Sequence, residues 1–138
     1  MTTEAFVDTS GYFSLVNRND HLHAVARSIA AELLTSSTRL VTTDYVIDET
    51  VTLLQSRNLG YVARPWLDQL FDNDAIEIVW MNAKRFEEVR RFFTKHADKE
   101  WSFTDCFSFC VMRERQINQA LASDQHFRQA GFATLIGG

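Results

Sequence analysis

Four acidic residues stand just after short apolar runs or early in helical patterns. Asp8 follows Ala5-Phe6-Val7, and Asp124 follows Ala120-Leu121-Ala122-Ser123. Glu49 lies early in the helical pattern after Leu40-Val41-Thr42, and Asp105 lies in the first turn of a Phe- and Cys-rich one. Carboxylates gathered in one place raise each other's pKa. They stay ionised together only around a cation. An all-oxygen set with few protein ligands suits Mg²⁺ or Mn²⁺, which keep waters and complete their shell with phosphate oxygens. Each Asp has a second reading as a helix cap or first-turn acid. Glu49 has one as a solvated helix residue. Helical periodicity does not choose between Glu49 and its neighbour Asp48.

The elements that must position these acids alternate in type. Ala5-Phe6-Val7, Leu40-Val41-Thr42, residues 75–81, Ala120-Leu121-Ala122 and residues 132–136 read as strands. Helical patterns lie between them. One starts at Thr9, and one runs from Asp20 as N-cap to about Leu34. Asp44 opens another that ends near Arg57, and Gly60 breaks the chain before a helix carrying Trp66, Leu67, Leu70 and Phe71. Asn82 caps a charged helix ending near His96, and Ser102 or Thr104 caps the next. Asp124 starts a short last helix that Gly131 ends. Such alternation with long crossovers predicts an α/β fold, a parallel sheet covered by helices on both faces. In such sheets ligands sit beyond the carboxyl ends of the strands, where the four acids stand.

Composition narrows the options. The chain has 138 residues, 46% of them hydrophobic, and a net charge of −4. That is a single folded domain, 1–138, rather than a disordered chain, and not one that holds nucleic acid by bulk positive charge. No apolar run reaches membrane-spanning length, so no membrane role is expected. Met1-Thr2-Thr3-Glu4 lacks a basic leader, and Cys106 and Cys110, four apart, suit one helix face rather than a disulfide, so a cytoplasmic protein is expected. Asp8-Thr9-Ser10 lacks the second Asp of a haloacid-dehalogenase-type phosphatase. A receiver domain's paired early acids and late Lys are missing, and no GxGxxG, Walker lysine, HExxH, CxxC or Gly-x-Ser-x-Gly occurs. His21 and His23 fall on different faces, and surface or capping roles are assigned to His96 and His126.

Taken together, Phe6-Val7-Asp8-Thr9-Ser10, residues 41–50 (VTTDYVIDET), residues 101–109 (WSFTDCFSF) and Ala122-Ser123-Asp124-Gln125-His126-Phe127 with Ala130-Gly131-Phe132 resemble the PIN-domain ribonucleases. The likeness is nearest to the VapC-type toxins of toxin–antitoxin pairs and covers nearly the whole chain. None of the four acids departs from the family pattern, which favours Glu49 over Asp48. The resemblance implies a PIN-like three-layer sandwich, with a central parallel sheet of about five short strands flanked by helices. It also implies an acidic pocket of Asp8, Glu49, Asp105 and Asp124 holding Mg²⁺ or Mn²⁺, and cleavage of RNA phosphodiester bonds. Thr9, Thr104 and Ser123 are candidate hydroxyls that orient these carboxylates or a water, with capping as their other reading. A small antitoxin that covers the acidic site, and a homodimer, are the implied partners. A non-cleaving PIN-like module that binds RNA or protein is the alternative.

Two further features have two readings each. Residues 84–99 hold six basic side chains against three acidic ones, which suits either phosphate contact or a solvated helix with Glu87–Arg90 and Glu87–Arg91 pairs. Trp101 suits either base stacking or the core. Tyr12, Phe13, Leu15, Val16, Val51, Leu53 and Leu54 suit either a partner groove or the core.

Overall fold

The computed structural model describes residues 3–137, so part of the leader reading (Met1 and Thr2) lies outside the described residues. The chain alternates as expected: β1 (Glu4–Val7), α1 (Thr9–Val16), α2 (His23–Thr35), β2 (Arg39–Thr43), α3 (Asp44–Ser56), α4 (Gly60–Phe71), β3 (Ile76–Val79), α5 (Ala83–Lys95), α6 (Phe103–Arg115), β4 (Gln119–Leu121), α7 (Gln125–Gln129) and β5 (Ala133–Thr134). All strand pairs are parallel, in the order β3-β2-β1-β4-β5. β1 is central because Ala5, Phe6 and Val7 are wholly buried on both faces. The register sets Phe6 beside Val41 and Val7 beside Leu121, so the strand ends that precede the acids lie along one edge.

An aromatic chain fastens two acid-bearing helices to this sheet. Phe6 meets Phe127 of α7 at 6.2 Å, Phe127 meets Phe109 of α6 edge-on at 4.9 Å, and Phe109 meets Trp101 at 5.0 Å. Each such buried ring contributes about 2–3 kcal/mol by removal from water. For α7, only five residues long, the Phe127 anchor replaces the propensity that so short a helix lacks. At the opposite, amino-terminal edge, Arg115 reaches Glu4 at 3.3 Å and also Glu77, which holds Arg39 at 3.2 Å. The charges there lock strand starts and leave the carboxyl edge free for chemistry.

Several local expectations need correction. Asp20 is not an N-cap: α2 starts at His23, and the Asp20 carboxylate instead accepts from Leu22 N–H and Ser14 Oγ in the turn before it. The break before α4 is made by Asn58, whose φ is 60°, and Gly60 already belongs to the helix. β3 stops at Val79, and Trp80 turns out to solvent at 55% exposure against Phe71, because Met81 N–H is taken by Asp44 Oδ1. The last strand shrinks from five residues to two. Tyr12, Phe13 and Leu54 are buried, and Leu15, Val16 and Val51 pack on the core, so this apolar set is chiefly interior. The larger exposed rings are Tyr61, Phe71, Trp80, Phe86 and Phe93. No described helix is long and apolar enough to cross a membrane.

Candidate active site

Asp8 leaves β1 and caps α1. Its N–H donates to Leu121 O at 3.3 Å, and its Oδ2 accepts from Ser10 N–H at 3.4 Å and Ser10 Oγ at 3.1 Å. Its Oδ1 is buried without a hydrogen-bond partner among the described residues. Such an atom is costly to leave alone and points to a missing electropositive partner. Burial, followed by the nearby Asp105 charge, pushes the Asp8 carboxyl up to about 7. The start of α1 is pressed onto the end of β4. A Cβ on Gly11 would stand 2.0 Å from Leu121 O, so only glycine fits.

Glu49 approaches from α3. Thr9 Oγ1 donates to Glu49 Oε1 at 2.5 Å, which fixes the carboxylate against α1. Asp48 points to solvent, so of the two neighbours the structure turns Glu49 toward the site. Burial chiefly raises the Glu49 pKa, Thr9 opposes it, and Asp105 and Asp124 add to the rise.

Asp105 is both a cap and a site acid. Ser102 Oγ accepts from Asp105 N–H at 3.0 Å, and Asp105 Oδ2 accepts from Ser102 N–H at 3.1 Å, a capping box. Ser102, not Thr104, therefore starts α6. Burial also raises the pKa of Asp105, opposed by Ser102 and His126. Asp124 caps α7 through Oδ1, which accepts from His126 N–H at 2.9 Å.

His126 is the residue missed by sequence reasoning. Its Nδ1 lies 3.0 Å from Asp105 Oδ2 and 3.6 Å from Asp124 Oδ1, not in a surface role. One atom each from Asp105, Asp124 and His126 fall within 4.8 Å of one another, a spacing that fits a metal ion. Asp8 and Glu49 join this group through their charges rather than inside that distance. Ser10 is the second omission. Its hydroxyl holds Asp8 and accepts from Ser123 N–H at 3.1 Å. The Thr104 and Ser123 hydroxyls touch no acid among the described residues; of the three candidate hydroxyls, Thr9 alone does. The spacing Asp8-x-Ser10 was a detectable signal for an Asx-type turn. The pairing of His126 with Asp105 spans 21 residues and had no local signal.

The basic and aromatic alternatives resolve as well. Glu87 pairs with Arg90 at 2.6 Å and Arg91 at 3.3 Å, and Arg85 pairs with Glu114, as on a solvated helix. Trp101 is buried, and its Nε1 donates to Gln129 Oε1 at 3.0 Å, so it does not offer a face to a base. A larger cleft of about 660 Å³, lined in part by Arg18, His23, Arg27 and Tyr61, holds none of the four acids.

The family model for the PIN domain matches residues 5–133. The chain belongs to the PIN-domain family. Within it the likeness is to VapC-type proteins. The 23S rRNA-specific endonuclease VapC20 of Mycobacterium tuberculosis, from two strains, is 32% identical over 127 residues, covering 92% of this chain and 94% of the relative. The crystal structure of Mycobacterium tuberculosis VapC20, described as a toxin that cleaves the sarcin–ricin loop, superposes with a TM-score of 0.81. It is 31% identical, covering 94% of this PIN domain and 96% of that chain. The five-stranded parallel sheet and its flanking helices are the PIN architecture, as the resemblance implied.

Proposed function

We propose that this PIN domain is a metal-dependent endoribonuclease, the toxin of a VapC-type toxin–antitoxin pair. The observation that carries the reading is Asp8 Oδ1, buried and unpartnered where the charges of Asp105 and Glu49 reach it. Asp8, Glu49, Asp105 and Asp124 would hold Mg²⁺ or Mn²⁺, which when bound polarises a phosphoryl oxygen and lowers the pKa of a water. The chain's own groups set the geometry. Ser10 occupies Asp8 Oδ2 and leaves Oδ1 to the site. Thr9 occupies Glu49 Oε1 and leaves Oε2 to the site. Ser102 N–H holds Asp105 Oδ2. Attack by water at phosphorus leaves a 5′-phosphate and a 3′-hydroxyl.

The likeness to VapC20 makes the sarcin–ricin loop of 23S rRNA the first substrate to offer. A small antitoxin that covers the acids, a homodimer and a cytoplasmic setting complete the proposal. The test is cleavage of an end-labelled sarcin–ricin fragment, and of a scrambled RNA, with Mn²⁺, Mg²⁺ or EDTA, beside Asp8→Asn. Cutting that needs metal and Asp8 supports the reading. Cutting that persists in EDTA or in Asp8→Asn refutes it. RNA that is bound yet intact with metal present supports the non-cleaving module instead.

A further inference from the structure

The sequence pattern offers only oxygen ligands to a cation, yet the folded site includes a nitrogen. We propose that His126 Nδ1 is a direct ligand of the divalent ion, making the centre a mixed oxygen–nitrogen one that favours Mn²⁺ over Mg²⁺. The inference rests on the metal-dependent reading above and adds a ligand and a selectivity to it.

Four observations carry it. First, spacing: an octahedral ion with bonds of about 2.1 Å sets neighbouring ligand atoms about 3.0 Å apart and opposite ones about 4.2 Å apart. His126 Nδ1 stands 3.0 Å from Asp105 Oδ2 and 3.6 Å from Asp124 Oδ1, within that range. The three residues each offer an atom within 4.8 Å of the others. Second, the backbone that carries the ring is held in place. His126 N–H is bound to Asp124 Oδ1, and the next residue, Phe127, is wholly buried against Phe6 and Phe109. The backbone from which the imidazole projects is therefore fixed beside the two carboxylates. Third, and independent of the cluster, Asp8 Oδ1 is buried with no partner. Fourth, no second acceptor competes for Nδ1 beyond the two carboxylates among the described residues.

The balance of protons is simple. In the metal-free chain a proton lies between Nδ1 and Asp105 Oδ2. When the ion takes that place that proton leaves, to Nε2 through solvent where Nε2 was bare and otherwise to bulk water, and the neutral ring with Nε2–H offers the Nδ1 lone pair. Imidazole nitrogen suits Mn²⁺ and later metals better than Mg²⁺, which prefers oxygen and gives up water reluctantly.

Pulsed electron paramagnetic resonance of the Mn²⁺-loaded chain tests this without any substitution. Protein is prepared with natural-abundance and with ¹⁵N-labelled histidine. The other histidines lie elsewhere: His23 Nδ1 faces Ser14 O, His96 Nδ1 faces Phe92 O, and His21 is open to solvent. A nitrogen coupling that changes with the label supports the proposal. His126→Asp, which restores an oxygen ligand, is expected to narrow the Mn²⁺-to-Mg²⁺ affinity ratio by about tenfold in competitive calorimetry. Mn²⁺ bound at the site with no histidine coupling overturns the nitrogen ligand and leaves the metal-dependent reading standing. An unchanged ratio in a folded His126→Asp overturns the selectivity. Failure of either ion to bind overturns both this inference and the reading beneath it.

Discussion

Replacing Asp8 by Asn is expected to make the metal-free chain more stable while removing its activity. The Asp8 carboxyl titrates at about 7 in the folded chain against an ordinary value of 3.8. Between these values the folded chain holds a proton that the unfolded chain releases. Stability from this group is therefore full below the unfolded value and falls as pH rises through the folded one. At pH 8 the ionised carboxylate costs about 4 kcal/mol, at 1.4 kcal/mol per pKa unit. Asn stays neutral and keeps an oxygen for Ser10, but buries an unpartnered N–H where Oδ1 stood, which costs about 1–2 kcal/mol. The net gain is about 2–3 kcal/mol, or roughly 6–10 °C in melting temperature for a chain of this size. At pH 5 the ionic penalty is below about 2 kcal/mol, so the gain nearly vanishes. The assay is thermal and urea unfolding in EDTA at pH 8 and pH 5, followed by circular dichroism. With Mn²⁺ at 100 times its dissociation constant the wild type gains about 2.7 kcal/mol and the order closes or reverses. A variant less stable than wild type at pH 8, or an equal gap at both pH values, refutes the reasoning.

Thr9→Val removes the hydroxyl on Glu49 with little change of shape. Cleavage is expected to fall about 10- to 100-fold with melting almost unchanged, read by initial rates beside calorimetry. Gly11→Ala drives a methyl into the Leu121 carbonyl, with an expected loss of about 3 kcal/mol or more and a matching fall in the urea midpoint. Ser102→Ala removes the hydroxyl that accepts from Asp105 N–H and costs about 1 kcal/mol, while the backbone N–H of residue 102 still holds Asp105 Oδ2; Ser102→Thr keeps the cap without adding charge and serves as the control in the same unfolding assay.

Most of the fold was legible because the signals are local. Asn82, Ser102 and Asp124 cap the helices they precede, through bonds spanning two or three residues. Asp20 has the same chemistry but spends its carboxylate on a turn and on Ser14, which depends on how α1 and α2 meet. The ends of β3 and β5 were overrun because apolar runs continue past the point where strand pairing stops, and Trp80 finds Phe71 rather than the core. At the site, Asp8, Glu49 and Asp124 were legible from the strands before them, and Asp105 from the start of its helix. Helical periodicity leaves Glu49 and Asp48 open and the family pattern favours Glu49; the structure adds the bond from Thr9, 40 residues away, and the exposure of Asp48. His126 sits two residues from Asp124, but what gives it meaning is Asp105, brought beside it by the Phe109–Phe127 contact.

Three of the four candidate acids have a structural role beside the proposed chemical one, since Asp8 and Asp124 cap helices and Asp105 closes a capping box. Asn and Ser cap about as well as Asp. Loss of the chemistry through such a change therefore leaves the scaffold intact. A cell harmed by the active chain has an easy escape: one substitution silences it while the folded body, and any grip on an inhibitor, survives. Spontaneous suppressors of toxicity should thus gather at these three positions rather than scatter through the core, and those carrying Asn or Ser should accumulate as soluble, folded protein. The architecture makes the step from cutter to harmless binder short.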